Sequence, residues 1–503
     1  MNATDFLLAS PADRAGRAAF LWRDQTLTYG ALETETARAA HALTSLGLRA
    51  DDRVLFLLKD TPTLVYAYLG AMKMGAVAVA LNPRLTTEDL AHVVADSDAR
   101  LVLCDQDSRA VVEAAVTTTG SQARVVLAGA PDAPFEAEMA LQPIRHVSAP
   151  TAADDMAFWV YTSGTTGRLK AAVHRHRDVA ASDLYPREIL GVESADVLYS
   201  TSKLFFAYAL GTILFGTLRL SATAVLNDTP SDPAAVAAIL ARHRPNIVFS
   251  VPTLYRGLLA AGVAENPSFR AVRHYVSAGE RLSPALYEQW LACTGGSILD
   301  GMGASETIYM LLTNGAGRIR PGASGVPAPG AEVKLADASG NPLAAGEPGI
   351  LWARIESCAA RYWNQPAASA RAFRDGWFAT GDLYRVDPDG FWHHEGRADD
   401  LLKVAGQWVS PTEVEEVALS VAGVRDAAVV GRADANGLMR TTLYVVLDVV
   451  LASGADGALE AVRAALSERL MSHKVPRDIR VVDAVPRTAT GKLQRYKLRG
   501  AAA

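Results

Sequence analysis

The first 110 residues alternate between helix-like and strand-like hydrophobic patterns. Apolar positions at helical spacing over residues 30–47 are followed by a compact apolar run, RVLFLL, at 53–58. A second helical pattern, TPTLVYAYLGAMKMG, precedes the strand-like run AVAVAL at 76–81. Strand, helix and strand segments that repeat in this way predict a mostly parallel sheet covered by helices.

The later segments have a different pattern of residue types. Residues 130–155 are rich in Ala, Pro and Asp and predict a surface connection. Short strand-like runs separated by glycine turns begin near residue 325 and predict a β-rich module. A smaller α/β unit follows GRADD (396–400), with helical patterns near 411–420 and 458–470. The predicted fold class is therefore α/β, with a large N-terminal domain of mostly parallel, helix-covered sheets plus the β-rich module, and a small C-terminal α/β domain.

Composition narrows the class of protein. A chain of 503 residues is too long for one ordinary core, which agrees with at least two domains. The formal net charge of -5 does not favour a nucleic-acid partner. Cys104, Cys293 and Cys358 lie far apart and form no metal-binding pattern, which favours a reducing cytoplasm. No apolar run approaches the roughly 20 residues that a membrane span needs, and the N-terminus lacks the pattern of a secretory signal. We therefore expect a cytoplasmic protein.

Candidate chemistry begins in the stretch FWVYTSGTTGRLKAAVHRH, residues 158–176. An apolar strand-like run ends in a loop of Thr, Ser and Gly, and Lys170 follows. Glycines let the backbone N–H groups approach an anion closely, while hydroxyls and a lysine add donors and charge. The Walker A spacing does not fit, because Gly164 and Gly167 are too close together and no Lys-Ser/Thr pair follows. The composition favours a phosphate-binding loop, and a plain flexible turn is the alternative.

The exact string YTSGTTGRLK (161–170) resembles the signature loop of the adenylate-forming superfamily, which includes acyl- and aryl-CoA synthetases, luciferases and peptide-synthetase adenylation domains. Four further segments resemble the other motifs of this superfamily and occur in the same order. They are GMGASE (301–306), ATGDLYR (379–385), GRADDLLKVAGQWVSPTEVE (396–415) and PRTATGKLQRYKLR (486–499). Five ordered motifs cover nearly the whole chain. The resemblance implies an N-terminal adenylation domain over residues 1–396, a hinge at 397–400 and a mobile C-terminal domain over 401–503.

The resemblance also implies roles for individual residues. Lys492 would be the catalytic lysine, Ser305 would contact phosphate, and Glu306 would hold Mg²⁺. Lys474 and Lys497 are the alternative lysines, but neither stands in a Gly-Lys context. The residues implied to bind ATP or AMP are Thr162, Ser163, Gly164, Thr165, Thr166, Gly167, Lys170, Gly301, Met302, Gly303, Asp382 and Arg397.

The same motifs imply a hinge and a path for coenzyme A. Asp399 would be the pivot about which the small domain rotates between two catalytic conformations. Lys403, Gly406 and Trp408 would line a tunnel for the pantetheine arm. The expected cofactors and substrates are therefore ATP, Mg²⁺, coenzyme A and a small carboxylic acid.

The acyl pocket resembles that of benzoate-CoA ligases, on the segments SKLFFAYALG (202–211), VPTLY (251–255) and SAGERL (277–282). The candidate acyl-binding residues are Phe206, Ala207, Tyr208, Ser277, Ala278, Gly279 and Tyr309. Aromatic and small residues together favour a short, flat, mostly apolar slot for a benzene ring, although these aromatics could equally be core. Tyr309 stands where benzoate-CoA ligases usually carry a His. Benzoate, hydroxybenzoate, aminobenzoate and a small alicyclic acid therefore stay open as substrates.

The predicted function is an ATP-dependent aryl-CoA ligase of aromatic acid metabolism, acting as a monomer or homodimer. One alternative is a free-standing enzyme that loads an aryl acid onto a carrier protein, and another is a CoA ligase for a small alicyclic or aliphatic acid. A non-catalytic nucleotide-binding protein is disfavoured, because Glu306, Asp382 and Lys492 are all present. His174 and His176 are interpreted as a solvated strand end or as ATP contacts.

Overall fold

A computed structural model describes the chain over residues 1–9, 12–163, 168–315, 317–343, 346–404, 407–433, 439–447, 454–487 and 493–500. It divides into two compact units. The first comprises residues 1–334 and 352–379, and the second comprises 335–351 and 380–503. The hinge expected at Asp399 stays a prediction.

The α-helices that the structure describes are short to medium in length. In chain order they are Ala3–Leu8 (α1), Tyr29–Ser45 (α2), Pro62–Lys73 (α3), Thr87–Ser97 (α4), Arg109–Thr119 (α5), Pro134–Ala140 (α6), Leu184–Glu188 (α7), Ala207–Ala209 (α8), Thr217–Leu220 (α9), Pro233–His243 (α10), Pro252–Ala260 (α11), Pro267–Arg270 (α12), Pro284–Thr294 (α13), Pro366–Ala372 (α14), Pro411–Leu419 (α15), Gly454–Arg469 (α16) and Arg495–Gly500 (α17). A π-helical segment, Leu210–Gly216, lies between α8 and α9.

The strands are mostly four to ten residues long. In chain order they are Ala18–Trp22 (β1), Gln25–Thr28 (β2), Arg53–Leu57 (β3), Val77–Ala80 (β4), Leu101–Cys104 (β5), Arg124–Leu127 (β6), Met156–Ser163 (β7), Leu169–Arg175 (β8), Val197–Ser200 (β9), Thr223–Leu226 (β10), Ile247–Ser250 (β11), His274–Ser277 (β12), Ile298–Gly303 (β13), Met310–Thr313 (β14), Val326–Pro327 (β15), Glu332–Ala336 (β16), Gly349–Arg354 (β17), Arg361–Tyr362 (β18), Phe373–Arg374 (β19), Trp377–Val386 (β20), Trp392–Arg397 (β21), Leu402–Val404 (β22), Gln407–Val409 (β23), Val424–Ala433 (β24), Met439–Leu447 (β25) and Asp478–Val481 (β26).

The first unit contains two large sheets. One has the order β18-β8-β7-β4-β3-β5-β6, and the other has the order β15-β14-β13-β12-β11-β9-β10-β1-β2. The central pairs of both sheets are parallel, while β7 with β8 and β13 with β14 are antiparallel. The predicted mostly parallel α/β fold is confirmed.

A hydrophobic cluster joins the two large sheets through helices α2 and α3. Phe20 of β1 and Phe158 of β7 belong to this cluster together with Leu43 and Leu69 from the helices, and all four side chains are fully buried. The run of small residues in α2 and α3 allows these helices to approach closely. Tight packing of this kind makes the interface sensitive to an added methyl group.

The second unit has a core of its own around the sheet β24-β25-β26. Because successive side chains of a strand point to opposite faces, Val429 of β24 packs in the cluster of α15 and α16, while Val430 packs in a separate cluster with Leu498 of α17. The predicted small C-terminal α/β unit is therefore present.

Most elements lie where the hydrophobic pattern predicts them. The side chain of Thr86 caps α4 by accepting a hydrogen bond from the backbone N–H of Asp89. The surface connection predicted over 130–155 includes helix α6, which begins at Pro134 and buries Phe135. No helix in the described part of the chain is long and apolar enough to cross a membrane.

Replacing two helical glycines by alanine tests how closely the helices of the first unit are packed. A Cβ at Gly70 of α3 would lie 2.9 Å from the backbone N of Ala40 and 3.0 Å from the Cβ of Ala39, so Gly70→Ala should lower the urea midpoint, with an overpacking cost of about 1–3 kcal/mol. At Gly257 of α11 the nearest atom is Pro233 Cγ at 3.9 Å, so Gly257→Ala should be neutral or stabilising by about 0.5–1 kcal/mol. Urea denaturation followed by fluorescence measures both, and equal shifts for the two variants would contradict this account of the packing.

Candidate active site

The predicted phosphate loop connects the two strands of a β-hairpin. Thr162 of β7 pairs with Lys170 of β8 in the antiparallel ladder. Residues directly opposite each other in such a ladder project from the same face, so both side chains lie beside the loop. The predicted ligands Gly164, Thr165, Thr166 and Gly167, together with the side chain of Ser163, lie outside the described residues.

Lys170 meets the carboxylate of Glu306, which comes from a distant part of the chain. Its Nζ atom lies 3.9 Å from Glu306 Oε1 and 3.6 Å from the centroid of the Tyr362 ring. The Tyr362 hydroxyl donates a hydrogen bond of 2.6 Å to the same Oε1 atom. The fold thus brings together two residues that the motifs predict to act on ATP, and it adds Tyr362 to them.

The turn that carries Glu306 is held in an unusual backbone conformation. Ile308 has φ of 61°, and the N–H of Tyr309 donates to Thr307 O across it at 2.6 Å, which closes a three-residue turn. A β-branched residue in the left-handed region costs roughly 1–2 kcal/mol. Ile308 is 4% exposed, so its buried side chain helps to offset this cost.

A neighbouring segment holds this turn from the other side. Ser357 Oγ donates to Thr307 O at 2.7 Å, and the N–H of Ala359 donates to Glu306 O at 2.7 Å. The same segment continues into β18, where Tyr362 pairs with Ala172 of β8. Hydrogen bonds therefore connect the hairpin, the turn and β18 into one framework around Glu306.

His174 and His176 support this framework from inside. Both are fully buried, so the interpretation as a solvated strand end is wrong. His174 stacks on Phe158 with ring centroids 4.8 Å apart, and its Nε2 donates to Ser305 O at 2.9 Å. This bond fixes the backbone of the predicted phosphate contact. The Nδ1 atom of His176 accepts from the backbone N–H of Ala3 at 3.0 Å, which anchors α1.

The glycines of the GMGASE motif have a packing role in β13. A Cβ at Gly301 would lie 2.7 Å from Leu312 O, and one at Gly303 would lie 2.8 Å from Tyr309 O. Only glycine therefore allows β13 and β14 to pair this closely. Met302 packs against the main hydrophobic cluster. Contacts of these three residues with ATP stay predictions.

Several predicted acyl-pocket residues share one cluster. Ala207, Ala278 and Tyr309 are buried in it, and Tyr208 packs against it. A Cβ at Gly211, in the π-helical segment, would lie 3.0 Å from Tyr309 Cε1, so this glycine lets the tyrosine ring approach the helix.

The other acyl candidates lie at neighbouring positions of the fold. The Phe206 ring lies 4.4 Å from that of Phe205. Ser277 ends β12, opposite Asp300 of β13. Gly279 follows with φ of 86°, a conformation that favours glycine.

This cluster contains buried polar atoms without normal hydrogen bonds. The Tyr208 hydroxyl is in this state, and the Tyr309 hydroxyl with Ser182 and Ser277 Oγ with Asp300 are neighbours whose contacts fall short of normal geometry. Burial raises the pKa of both tyrosines well above the usual range, so they stay neutral and can donate. Burial also raises the pKa of Asp300 to about 8, so this carboxyl is mostly protonated at neutral pH. An orphaned buried polar group costs about 1–3 kcal/mol, so these atoms favour a ligand with a polar group.

The second unit holds the predicted ribose residues. Arg397 Nη1 donates to Asp382 Oδ2 at 3.1 Å and to Thr380 O at 2.9 Å. His394 Nε2 lies 3.2 Å from Asp382 Oδ1. Asp382 thus sits between two side chains that fix its orientation, and its role toward ribose stays a prediction.

The remaining predicted residues of this unit lie after β21. Asp399 belongs to the short 3₁₀ turn Ala398–Asp400. Lys403 is exposed on β22 and pairs with Trp408 of β23. Lys492, Gly406 and the side chain of Trp408 lie outside the described residues.

The two alternative lysines are described, and they differ. Lys474 Nζ donates to both carboxylate oxygens of Glu413 at 2.7 Å, while Lys497 is exposed on α17. The ion pair with Glu413 gives Lys474 a structural role within its own unit.

The carboxylate of Glu306 fits Mg²⁺ that arrives with ATP. Among the described residues, no group of three or more His, Cys, Asp or Glu side chains could hold a metal by itself. Mg²⁺ is usually bound by one or two carboxylates together with substrate phosphates. A single, 8% exposed glutamate beside the hairpin suits that mode.

Comparison with known proteins identifies the family. Residues 8–363 match the model of AMP-binding enzymes, and residues 413–492 match that of the AMP-binding enzyme C-terminal domain. The chain belongs to the AMP-binding enzyme family, as the motifs predict.

Similar proteins match over nearly their whole length. The 3-hydroxybenzoate-CoA ligase of Aromatoleum sp. (strain CIB) is 42% identical, covering 99% of this chain and 96% of that protein. The benzoate-CoA ligase of Thauera aromatica is 38% identical, with coverage of 99% and 96%. The crystal structure of a benzoate CoA ligase from Burkholderia xenovorans LB400 superimposes with a TM-score of 0.92 at 37% identity, with coverage of 99% and 100%.

Two residues of the described site lie outside every motif-based prediction. Tyr362 contacts both Lys170 and Glu306, and His394 contacts Asp382. No spacing rule connects Tyr362 to Glu306, because their contact depends on the pairing of β18 with β8. For His394 the signal is the GRADD motif that follows it, since its strand pairs with the strand of Asp382.

The pH dependence of stability tests whether His176 has a structural role rather than a nucleotide-binding role. Burial lowers its pKa from 6.5 to about 4, so between these values the unfolded chain binds a proton that the folded chain does not. Stability should therefore fall as the pH drops from about 6.5 to 4, by up to roughly 3 kcal/mol from this group. His176→Asn keeps an acceptor for Ala3 and should flatten this pH dependence in urea denaturation. An unchanged pH slope in His176→Asn would contradict this assignment.

Proposed function

We propose that this chain is an ATP-dependent aryl-CoA ligase whose preferred acids are hydroxybenzoates. It activates the acid to an acyl-adenylate with release of pyrophosphate, and then transfers the acyl group to the thiol of CoA with release of AMP. Full-length similarity at 38–42% identity to benzoate- and hydroxybenzoate-CoA ligases supports an acid–thiol ligase of this kind.

In the first step, a carboxylate oxygen of the acid attacks the α-phosphorus of ATP. A new oxygen–phosphorus bond forms, and the bond to the pyrophosphate oxygen breaks. Lys170 and the hydroxyl-rich loop from Thr162 to Gly167 bind the polyphosphate, and Lys492 stabilises the charge between the carboxylate and the α-phosphate. Preorganised donors of this kind are usually the largest source of rate acceleration.

Glu306 and its partners fit the metal-dependent part of this step. The hydrogen bond from Tyr362 and the turn around Ile308 hold the carboxylate ready before substrate arrives. Mg²⁺, when bound there, neutralises phosphate charge and orients the polyphosphate. Asp382 binds the ribose hydroxyls, because an ionised carboxylate accepts hydrogen bonds from two donors.

In the second step, the CoA thiol attacks the acyl carbonyl and AMP leaves. Lys492 has to leave the site first, and rotation about Asp399 brings the segment with Lys403, Gly406 and Trp408 to the tunnel of the pantetheine arm. A hinge that presents two faces of one domain is a known way to separate two half-reactions.

The observation that carries the choice of acid is the pair of buried hydroxyls of Tyr208 and Tyr309, which lie in an apolar cluster and make no hydrogen bond of normal geometry. Benzoate leaves both hydroxyls without partners, whereas a ring hydroxyl can satisfy one of them. A site built to bond a substrate hydroxyl discriminates strongly against the analogue that lacks it. The higher identity to the 3-hydroxybenzoate-CoA ligase than to the benzoate-CoA ligase points the same way.

Location, oligomeric state and acyl acceptor are further parts of the proposal. The chain acts in the cytoplasm as a monomer or homodimer. CoA is preferred over a carrier protein as acceptor because the similar proteins named above are CoA ligases.

A substrate panel tests the proposal directly. Pyrophosphate release is measured with benzoate, the three hydroxybenzoates, aminobenzoates, cyclohexanecarboxylate and short aliphatic acids, each with and without CoA. We expect at least one hydroxybenzoate to exceed benzoate about tenfold in kcat/KM, with CoA-dependent turnover and AMP as product. Tyr309→Phe should reduce this preference. The matched control is Tyr287→Phe on α13, which removes a hydroxyl that donates to Ser297 Oγ.

Other outcomes of the panel contradict specific parts of the proposal. A preference for alicyclic or aliphatic acids would overturn the aromatic pocket. Pyrophosphate release that stops after one turnover despite CoA would indicate a carrier protein as the acceptor.

Lys492→Ala separates the two half-reactions. Because its charge serves only the first step, the variant should lose acid-dependent pyrophosphate release by at least about a hundredfold, equivalent to roughly 3 kcal/mol or more. Conversion of supplied aryl-AMP and CoA to aryl-CoA should change much less. The exposed Lys497→Ala is the control, and equal loss of both steps in Lys492→Ala would refute this division of roles.

A further inference from the structure

Tyr362 lies between the two charged side chains of the N-terminal site. Its hydroxyl donates to Glu306 Oε1 at 2.6 Å, and its ring centroid lies 3.6 Å from Lys170 Nζ. The side chains of Lys170 and Glu306 are 21% and 10% exposed, and Tyr362 is 3% exposed. One aromatic side chain therefore contacts both an ammonium and a carboxylate in a nearly dry environment.

The direct contact between the two charges is long. Lys170 Nζ and Glu306 Oε1 are 3.9 Å apart, whereas a charge-assisted N–H···O bond is about 2.7–2.9 Å. In a low-dielectric setting, opposite charges at this distance attract strongly. The contact is nevertheless a long ion pair, with the Tyr362 hydroxyl bonded to the carboxylate oxygen that faces the ammonium.

Both contacts with Tyr362 are favourable. A hydrogen bond of 2.6 Å to an ionised carboxylate is in the short, strong class. An ammonium over an aromatic face is attracted by the ring electrons, more strongly when it is partly desolvated. Tyr362 thus supplies one partner for the Glu306 carboxylate and one for the Lys170 ammonium. The two charged groups are therefore stabilised without a close ion pair between them.

The tyrosine itself is fixed by its surroundings. Its backbone pairs with Ala172 in the ladder of β18 and β8, and its N–H donates to Ser369 Oγ at 3.0 Å. Its ring packs against Phe373, with centroids 5.2 Å apart. The position of the hydroxyl is therefore set by the fold rather than by a bound nucleotide.

We infer that Tyr362 is a positioning residue for the ATP-dependent step, because it holds the Glu306 carboxylate toward Mg²⁺ and keeps Lys170 apart from it for phosphate. This inference rests on the proposed function and deepens it. Loss of the hydroxyl alone takes away the bond that orients Glu306 toward Mg²⁺, while the ring still holds Lys170. Loss of the ring as well lets Lys170 close on Glu306 and removes a phosphate ligand.

The test compares nucleotide binding with and without metal. Calorimetry measures ATP affinity in excess Mg²⁺ and in EDTA, and pyrophosphate release gives the Mg²⁺ concentration for half-maximal rate. Tyr362→Phe keeps the ring and removes the hydroxyl. It should weaken Mg²⁺–ATP binding and raise the half-maximal Mg²⁺ concentration, each by roughly five- to tenfold, with metal-free ATP affinity changed less than about twofold.

Two further variants separate positioning from stability. Tyr362→Leu also removes the ring under Lys170 and should weaken ATP binding in EDTA as well. Tyr275→Phe removes the hydroxyl of a buried tyrosine that donates to Phe269 O and touches neither charge. It should leave both affinities and the Mg²⁺ dependence unchanged.

The outcomes separate this inference from the proposed function. An unchanged Mg²⁺ dependence in Tyr362→Phe, or equal weakening of ATP binding with and without Mg²⁺, would overturn the positioning role. Calorimetry with ATP needs no aryl acid, so it still decides the role of Tyr362 if the acid panel fails. Wild-type protein that bound no ATP would refute both.

Discussion

The burial of the Glu306 carboxylate is the constraint on which the N-terminal site depends. A charge taken out of water is costly unless it is paired and hydrogen-bonded. Here the hydroxyl of Tyr362 and the ammonium of Lys170 are its partners, and each comes from a different segment of the chain. The hairpin β7–β8, the turn after β13 and strand β18 therefore have to meet. Backbone hydrogen bonds between these segments hold them together.

The close packing of these segments also accounts for a strained residue and a glycine nearby. Ile308 keeps a left-handed backbone because its side chain is buried and Ser357 and Ala359 hold the turn. Gly211 has no side chain because Ile308 and Tyr309 occupy that space. Strain of this kind persists where the surrounding contacts overdetermine the conformation, and it is concentrated at functional sites. The turn thus links the charged site around Glu306 to the aromatic cluster around Tyr309.

The hydroxyls of two tyrosines at the predicted acyl pocket are buried without hydrogen bonds of normal geometry, as are those of Tyr68 and Tyr444 elsewhere in the fold. A core tyrosine usually finds a partner for its hydroxyl, as Tyr255 does with Val276 O. The hydroxyls of Tyr208 and Tyr309 have none of normal geometry. A buried donor without a hydrogen bond is costly unless a ligand supplies one, which is the basis of the proposed preference for hydroxybenzoates.

Sequence alone determined the parts of this protein that are local in the chain. Hydrophobic periodicity located the parallel strands and the helices, and the glycine and hydroxyl strings identified the family, because these features depend on neighbouring residues. Tertiary structure alone decided the partners of those residues. Tyr362 lies beside Glu306 only because β18 pairs with β8, and His174 supports Ser305 only because the fold places β8 within hydrogen-bond distance of that turn. Contacts between distant segments depend on strand pairing and on close packing, and no short-range pattern in the sequence records them.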